Sequence, residues 1–366
     1  MTLARYITLR FLRMVVVVGL VITIISGLLI SVEAIRITSS ADATLQQAAR
    51  LTLFQLPEVM SEAFPLVLML GAIAAFVGLS RTSEMVIVRA SGVSALKMLL
   101  LPVIAAAALG VIATTLFNPI TAAATLRAEE VRADITGRDI SVMSLESGSV
   151  WLRQGLESGQ TVIQAARASQ EGTVLYGARL HVFDTDNQLI ARIEADIAVL
   201  AGDAWILRGV RRWPLDLPAD QPLGNPETLS ELRLPTNLTR EQIQDSFAQP
   251  ESVEIWALPA FIAQLERAGF SATRHRVFFH SELARPALFI AMVLIGAGFS
   301  LRHVRFGQVG VMILLAIFAG FALYFFKDIS ETLGGNGDIP VLLAAWSPPA
   351  AAIMLALALL LHLEDG

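Results

Sequence analysis

Seven basic side chains, Arg36, Arg127, Arg132, Arg274, Arg276, Arg285 and Lys327, stand at the borders of long uncharged stretches in this 366-residue chain. Such groups suit a bulky anionic ligand, because a guanidinium pairs with phosphate through parallel hydrogen bonds. Headgroup snorkelling competes with that reading for each residue taken singly; Arg36 and Arg285 are the preferred ligand pair. A second set lies in the polar island Ser80 to Lys97. There Ser83 can cap a helix, Glu84 sits in the first turn where the helix dipole favours an anion, and Gly92 can end it in a left-handed turn. The helix expected at about 82–92, with Arg89 and Ser91 on it, is too short for a domain and long enough for another protein to grip. His280 and Glu282 are the nearest thing to an acid–base pair, but residues two apart on a helix do not face the same way.

Hydrophobic residues make up 55% of the chain and charged residues 16%, against about 25% charged in a soluble domain. This is the composition of a membrane protein. The charges are segregated, leaving uncharged gaps at 14–32, 63–80, 98–126, 286–301, 306–326 and 339–363. All but the fourth approach or exceed the ~20 residues that cross a bilayer as a helix. The fourth is extended backwards past Arg285 by Val277, Phe278 and Phe279, which puts Glu282 and Arg285 near one interface. Arg5, Arg10 and Arg13, then Arg81, Arg89 and Lys97, then Arg302 and Arg305 mark the cytoplasmic side, so both termini are expected there. The first apolar run has no clear small-residue cleavage site and is read as a retained helix.

The spans fall as three and three, at 1–126 and 271–366, around a soluble insertion at 127–270. Within the insertion Val174, Tyr176, Ala178, Leu180 and Val182 alternate with Leu175, Gly177, Arg179, His181 and Phe183, the period of a strand. A turn at Asp184 to Asn187 and a second alternating run, Leu189 to Ala198, predict a hairpin. Further strands are expected at Ser141–Arg153, Gln160–Ala168, Ala204–Trp213 and Thr228–Leu234, which favours a β-sandwich or jelly roll. Thr239 is a candidate cap for a short helix, and Leu258 to Ala268 reads as an amphipathic helix leading to the fourth span.

No phosphate-binding loop, H-E-x-x-H zinc pair or G-x-S-x-G nucleophile elbow occurs, and no basic stripe suited to nucleic acid. With no cysteine there is neither a disulfide nor a thiolate metal site. The span centres carry no carboxylate to bind a coupling ion, which argues against secondary transport. Walls of Leu, Val, Ile, Phe and Ala suit acyl chains, and the recurring Gly71, Gly110, Gly296 and Gly320 suit close helix packing.

The island reads Ser83-Glu84-Met85-Val86-Ile87-Val88-Arg89-Ala90-Ser91-Gly92. It resembles the cytoplasmic coupling segment of the lipopolysaccharide-export permeases LptF and LptG. The 3 + 3 spans, the β-rich insertion, Val150-Trp151-Leu152-Arg153-Gln154-Gly155, and Ile339-Pro340 with Ala344-Ala345-Trp346-Ser347-Pro348 are also similar to that family. The surroundings of Trp151 and Trp346 resemble LptG more than LptF. The resemblance implies a six-helix inner-membrane permease subunit with an inserted periplasmic β-jelly roll. It implies no cofactor on this chain. ATP and Mg would be used by an LptB-like ATPase dimer, beside an LptF-like second permease, an LptC-like single-span protein and an LptA-like bridge, with lipopolysaccharide as the cargo. On the same resemblance Glu84 is the coupling glutamate, with Arg89, Ser91 and Gly92 around it, and Arg36 is the basic residue at the outer end of the first helix. Tyr176, Leu180, Val182 and Ile193 are then expected to line the lipid path through the β domain. The alternative is a mechanotransmitting or scaffold membrane protein whose insertion binds a partner and moves no lipid.

Overall fold

The computed structural model describes residues 2–40, 44–81, 94–136, 144–146, 149–156, 159–169, 172–186, 188–215, 225–236, 238, 249–300 and 309–365. Residues 82–93 of the polar island, the start of the first expected strand and Thr239 lie outside them. The chain divides into two compact units, Met1–Thr136 with Thr273–Gly366, and Gly137–Ala272.

In chain order the first unit begins with α1 (Thr2–Ser40), α2 (Leu45–Arg81), α3 (Ala95–Ile112), a π turn (Ala113–Phe117) and α4 (Asn118–Thr136). The second unit holds β1 (Ser144–Glu146), β2 (Ser149–Leu156), β3 (Gly159–Ala165), β4 (Arg167–Ala168), β5 (Val174–Phe183), β6 (Leu189–Ala201), β7 (Ala204–Pro214), β8 (Glu227–Pro235) and α5 (Leu258–Arg267). The first unit then resumes with α6 (Thr273–Ser300), α7 (Val309–Asn336) and α8 (Val341–Asp365). The unit boundaries fall later than 126 and 270 because the third span does not stop where its charges begin. Arg127 and Arg132 are carried on α4.

Six helices among the described residues are long and apolar enough to cross a membrane, with α3, the π turn and α4 forming one of them. A helix satisfies its own backbone, which is what a segment surrounded by hydrocarbon requires. The fourth span starts at Thr273, well before Arg285, as the apolar residues ahead of the charge predict. The helix α6 is the axis of the unit: every residue from Leu288 to Ile295 is buried except the half-buried Ile290. A helix that is apolar all round is either a core helix or lipid-facing, and this stretch of α6 is the former. By contrast α1 is buried at Ile7, Phe11 and Val15, and again only at Ala34 and Thr38.

The described strands of the second unit make one antiparallel sheet in the order β1-β2-β3-β5-β6-β7-β8, with β4 also paired to β5. The expected hairpin is present: the Asp184 carboxylate accepts from the backbone N–H groups of Asp186 at 2.9 Å and Gln188 at 2.8 Å, the local bonding that makes aspartate a turn residue. Two expected strands are each two. The run at 141–153 contains β1 and the start of β2, which pair with each other, and the run at 160–168 contains β3 and β4.

The strict alternation expected along 174–183 also fails, for a reason visible in three strands. Buried residues step from Leu175 to Ala178 in β5, from Ala195 to Ala198 in β6 and from Leu207 to Val210 in β7. Each step is three residues rather than two. Gly177 has φ +63° and Gly209 has φ +66°, and the register of the paired strands puts both beside Asp196. A left-handed residue in a strand resets which side the next side chain takes, and glycine adopts it without the Cβ penalty. One apolar core, with Trp205 at 0% exposure and Leu265 of α5 at 1%, is kept continuous across that kink.

Replacing Gly209 by alanine forces an L side chain into the left-handed region and drives its Cβ into the Asp196 carboxylate. We expect a loss of about 1–2 kcal/mol from the backbone alone, read as a lower unfolding midpoint of the purified protein. Gly209→Ala with Asp196→Ala should recover the part due to the collision.

Candidate functional site

A buried polar joint lies where the second, third and fourth spans meet. Pro286 inside α6 has no N–H, so the carbonyl four residues earlier, that of Glu282, loses its helical donor. The Thr114 hydroxyl donates to that carbonyl at 2.8 Å. Thr114 belongs to the π turn, which lies just ahead of Pro119; that proline cannot donate to Thr115, and the turn widens so that the Asn118 N–H reaches back to the Ala113 carbonyl. One proline-disturbed helix thus supplies the donor that the other lacks. A Cβ on Gly110 would stand 2.5 Å from the Pro286 Cα, so only glycine lets the two backbones come this close.

The joint is charged as well. Glu282 is 2% exposed, and its carboxylate pairs with the Arg285 guanidinium one turn later. Arg285 also donates to the Ser61 hydroxyl of α2 at 2.8 Å. Lys327 and Glu331 of α7 pair at 2.6 Å. His280 takes no part in the Glu282 pair; its ring lies edge-on to Phe279 at 5.6 Å, in line with the different directions expected of residues two apart.

The seven basic candidates therefore separate. Arg36 is largely exposed and pairs with Glu33 at 2.7 Å, whereas Arg285 is directed inward to Ser61 and Glu282. The ion pairs of the two thus go to different carboxylates, Glu33 and Glu282. Arg127 pairs with Glu130 at 2.8 Å. Arg132 is exposed on α4, within electrostatic reach of Glu33. Arg274 and Arg276 are exposed on the first turns of α6, and the Arg274 stem packs on Gly335. Four of the seven thus carry a carboxylate three or four residues away on their own helix. Sequence reading named the bases and missed Glu33, Glu130 and Glu331; the i, i+3 and i, i+4 spacing was the available signal.

At the other end of the bundle the helix ends that border undescribed segments come together. Ser80, beside the start of the island, donates to the carbonyl of Ser300 at the end of α6 at 3.4 Å. A Cβ on Gly78 of α2 would meet the Arg10 guanidinium of α1 at 3.1 Å. Ser94 caps α3, its hydroxyl accepting from the Lys97 N–H at 3.3 Å. Glu84, Arg89, Ser91 and Gly92 lie outside the described residues.

In the β unit Leu180 and Ile193 face each other across β5 and β6, at 0% and 2% exposure. Val182 packs half-buried against the same core. Tyr176 does not join them. The phase reset at Gly177 leaves its ring exposed, under the Arg167 guanidinium at 6.0 Å; a glycine inside a strand pattern was the clue. No group of three or more His, Asp or Glu side chains able to hold a metal ion occurs among the described residues.

Six apolar helices among the described residues, divided three and three by an inserted antiparallel β domain, define a multi-pass membrane protein. The model of the lipopolysaccharide export system permease LptF/LptG family matches residues 5–362, and the chain belongs to that family. It is similar to the lipopolysaccharide export system permease protein LptG of Escherichia coli strain K12, at 22% identity over 365 residues that cover 98% of each chain. It is likewise similar to the LptG protein of Haemophilus influenzae, at 24% identity over 369 residues, 100% of this chain and 99% of the relative.

The joint gives two expected outcomes, both read by thermal unfolding in nanodiscs. Thr114→Val leaves the Glu282 carbonyl without a donor and should cost about 1–2 kcal/mol, with Thr114→Ser close to wild type. Arg285→Ala strands a buried carboxylate and should cost roughly 3–5 kcal/mol, most of it recovered when Glu282 is also made leucine.

Proposed function

We propose that the chain is the LptG-type permease subunit of an ATP-driven exporter that extracts lipopolysaccharide from the outer leaflet of the bacterial inner membrane. The observation that carries this reading is the family match across both sets of spans and the β insertion together. The chain hydrolyses nothing itself. An LptB-like ATPase dimer, using ATP and Mg, docks at the polar island around Glu84, with Arg89, Ser91 and Gly92, on the cytoplasmic side. The convergence of the ends of α2 and α6 at Ser80 and Ser300 supports it, because a push on the island is then delivered to the axial helix as well as to α2. A second, LptF-like permease completes the cavity, and LptC-like and LptA-like proteins receive the lipid from the β domain.

Basic side chains at the opposite end of the bundle serve the phosphorylated headgroup. Arg132, Arg274 and Arg276 are exposed, whereas the Arg285 guanidinium is directed into the bundle, so the headgroup reading rests on the former. The acyl chains follow the apolar interior of the β domain past Val182.

Glu84→Ala and Glu84→Arg should each abolish growth in a strain depleted of the wild-type protein, while the purified complex keeps ATPase activity that no longer moves lipid. Normal export by both variants would sink the coupling role. A photo-reactive residue at Val182 should capture lipopolysaccharide only when ATP is supplied. Growth supported by the protein with no ATP-dependent capture there would favour the scaffold reading instead.

A further inference from the structure

On the exposed side of the inserted sheet three guanidiniums converge on one carboxylate. Arg179 of β5, Glu194 of β6 and Arg211 of β7 form a single cross-strand row, and Arg192 stands two residues from Glu194 on the same side. The guanidinium nitrogens of Arg192, Arg211 and Arg179 lie 2.6, 3.0 and 4.0 Å from the Glu194 carboxylate. Glu194 is 18% exposed, whereas Arg179, Arg192 and Arg211 are 58%, 48% and 57% exposed. Arg192 is further held over the Trp213 ring at 5.5 Å.

This ratio is peculiar to the row. The other described arginine ion pairs of the sheet are one to one: Arg208 with Glu231, Arg212 with Glu227, and Arg233 with Asp203. Here three guanidiniums share the Glu194 carboxylate, and with Asp196, the next outward residue of β6, the face still carries three positive charges against two negative. The neighbouring strands do not make up the difference, since Gln164 of β3 stands opposite Arg179 and Thr228 of β8 opposite Arg211, both uncharged.

We propose that this face docks an acidic segment of a partner polypeptide, whose carboxylates take up the guanidinium donors that Glu194 leaves open. Glu194 itself identifies the chemistry: a carboxylate is the group on which the three side chains close. Exposed arginines held in fixed positions on a sheet, one of them over a half-buried tryptophan, are components of protein-binding surfaces. A lipid would also need an apolar bed, and the exposed large apolar side chains of the described β unit, Tyr176, Leu189 and Trp256, lie outside the row. Glu194 acts as an internal competitor, so its charge sets how strongly the face holds a partner. The lipid-export reading is not needed for this inference.

The test uses the full-length protein in nanodiscs of neutral lipid, with a labelled ten-residue peptide carrying six glutamates as the probe, followed by fluorescence anisotropy. The wild type should bind, more weakly as salt rises from 50 to 200 mM. Arg179→Ala with Arg211→Ala should lose about tenfold or more in affinity, and Glu194→Gln should gain severalfold. Arg208→Ala with Arg233→Ala removes two matched charges from the same sheet and should stay within about twofold of wild type. No binding by the wild type, or equal losses in the two double variants, would overturn the proposal. So would an unchanged or weakened affinity of a Glu194→Gln protein that unfolds at the wild-type temperature. Capture of the nanodiscs by phosphatidylglycerol vesicles but not by the peptide would overturn it in favour of a membrane contact.

Discussion

A carbonyl deprived of its donor by a proline cannot be left facing hydrocarbon, and the membrane unit is arranged around meeting that demand at Glu282. In water the group would find a solvent partner; in a bilayer it must find protein. Thr114 supplies the hydrogen, and it is in reach because the third span is itself widened by a π turn ahead of Pro119. The missing side chain at Gly110 lets the helices approach. Arg285 then extends the connection to Ser61 on α2. Three spans are held at one level by groups that would be costly to bury singly.

The β unit meets a different constraint with comparable economy of means. A sheet whose strands alternate strictly keeps one face inward only while its curvature is gentle. Two glycines in left-handed conformation, with Asp196 between them, shift the phase of three strands at the same row. The apolar residues on either side of the row, Leu180 and Leu175 among them, therefore reach one core.

Much of this architecture was legible from residue order. Spans are announced by stretches without charge, because lipid penalises every exception, and strands by period two. The family resemblance was legible too, since its segments are spread over the whole chain. What escaped was pairing in space. Arg36 and Arg285 look equivalent as basic residues beside apolar runs, yet one turns to Glu33 near solvent and the other to Glu282 in the interior. Tyr176 was assigned to the inner face because Gly177 was counted as an ordinary strand position, and a single φ value reverses that. The partner of the Glu282 carbonyl lies 168 residues away, a distance over which local pattern carries no information.

The helix α1 is fastened at its two ends, by Ile7, Phe11 and Val15 and by Ala34 and Thr38, with nothing buried between. On one side its middle is still half-buried, with Val18 and Ile22 against the core and the Thr23 hydroxyl donating to the Met60 sulfur at 3.3 Å; the other side need only be apolar. On that side Leu, Ile, Val and Phe are interchangeable answers, so a long tract of this protein encodes a physical property and little identity. A chain with many such positions can drift far in sequence while its length, its span order and the few polar groups that must find each other stay fixed. Full-length kinship at 22% identity is what that unequal distribution of information looks like from outside.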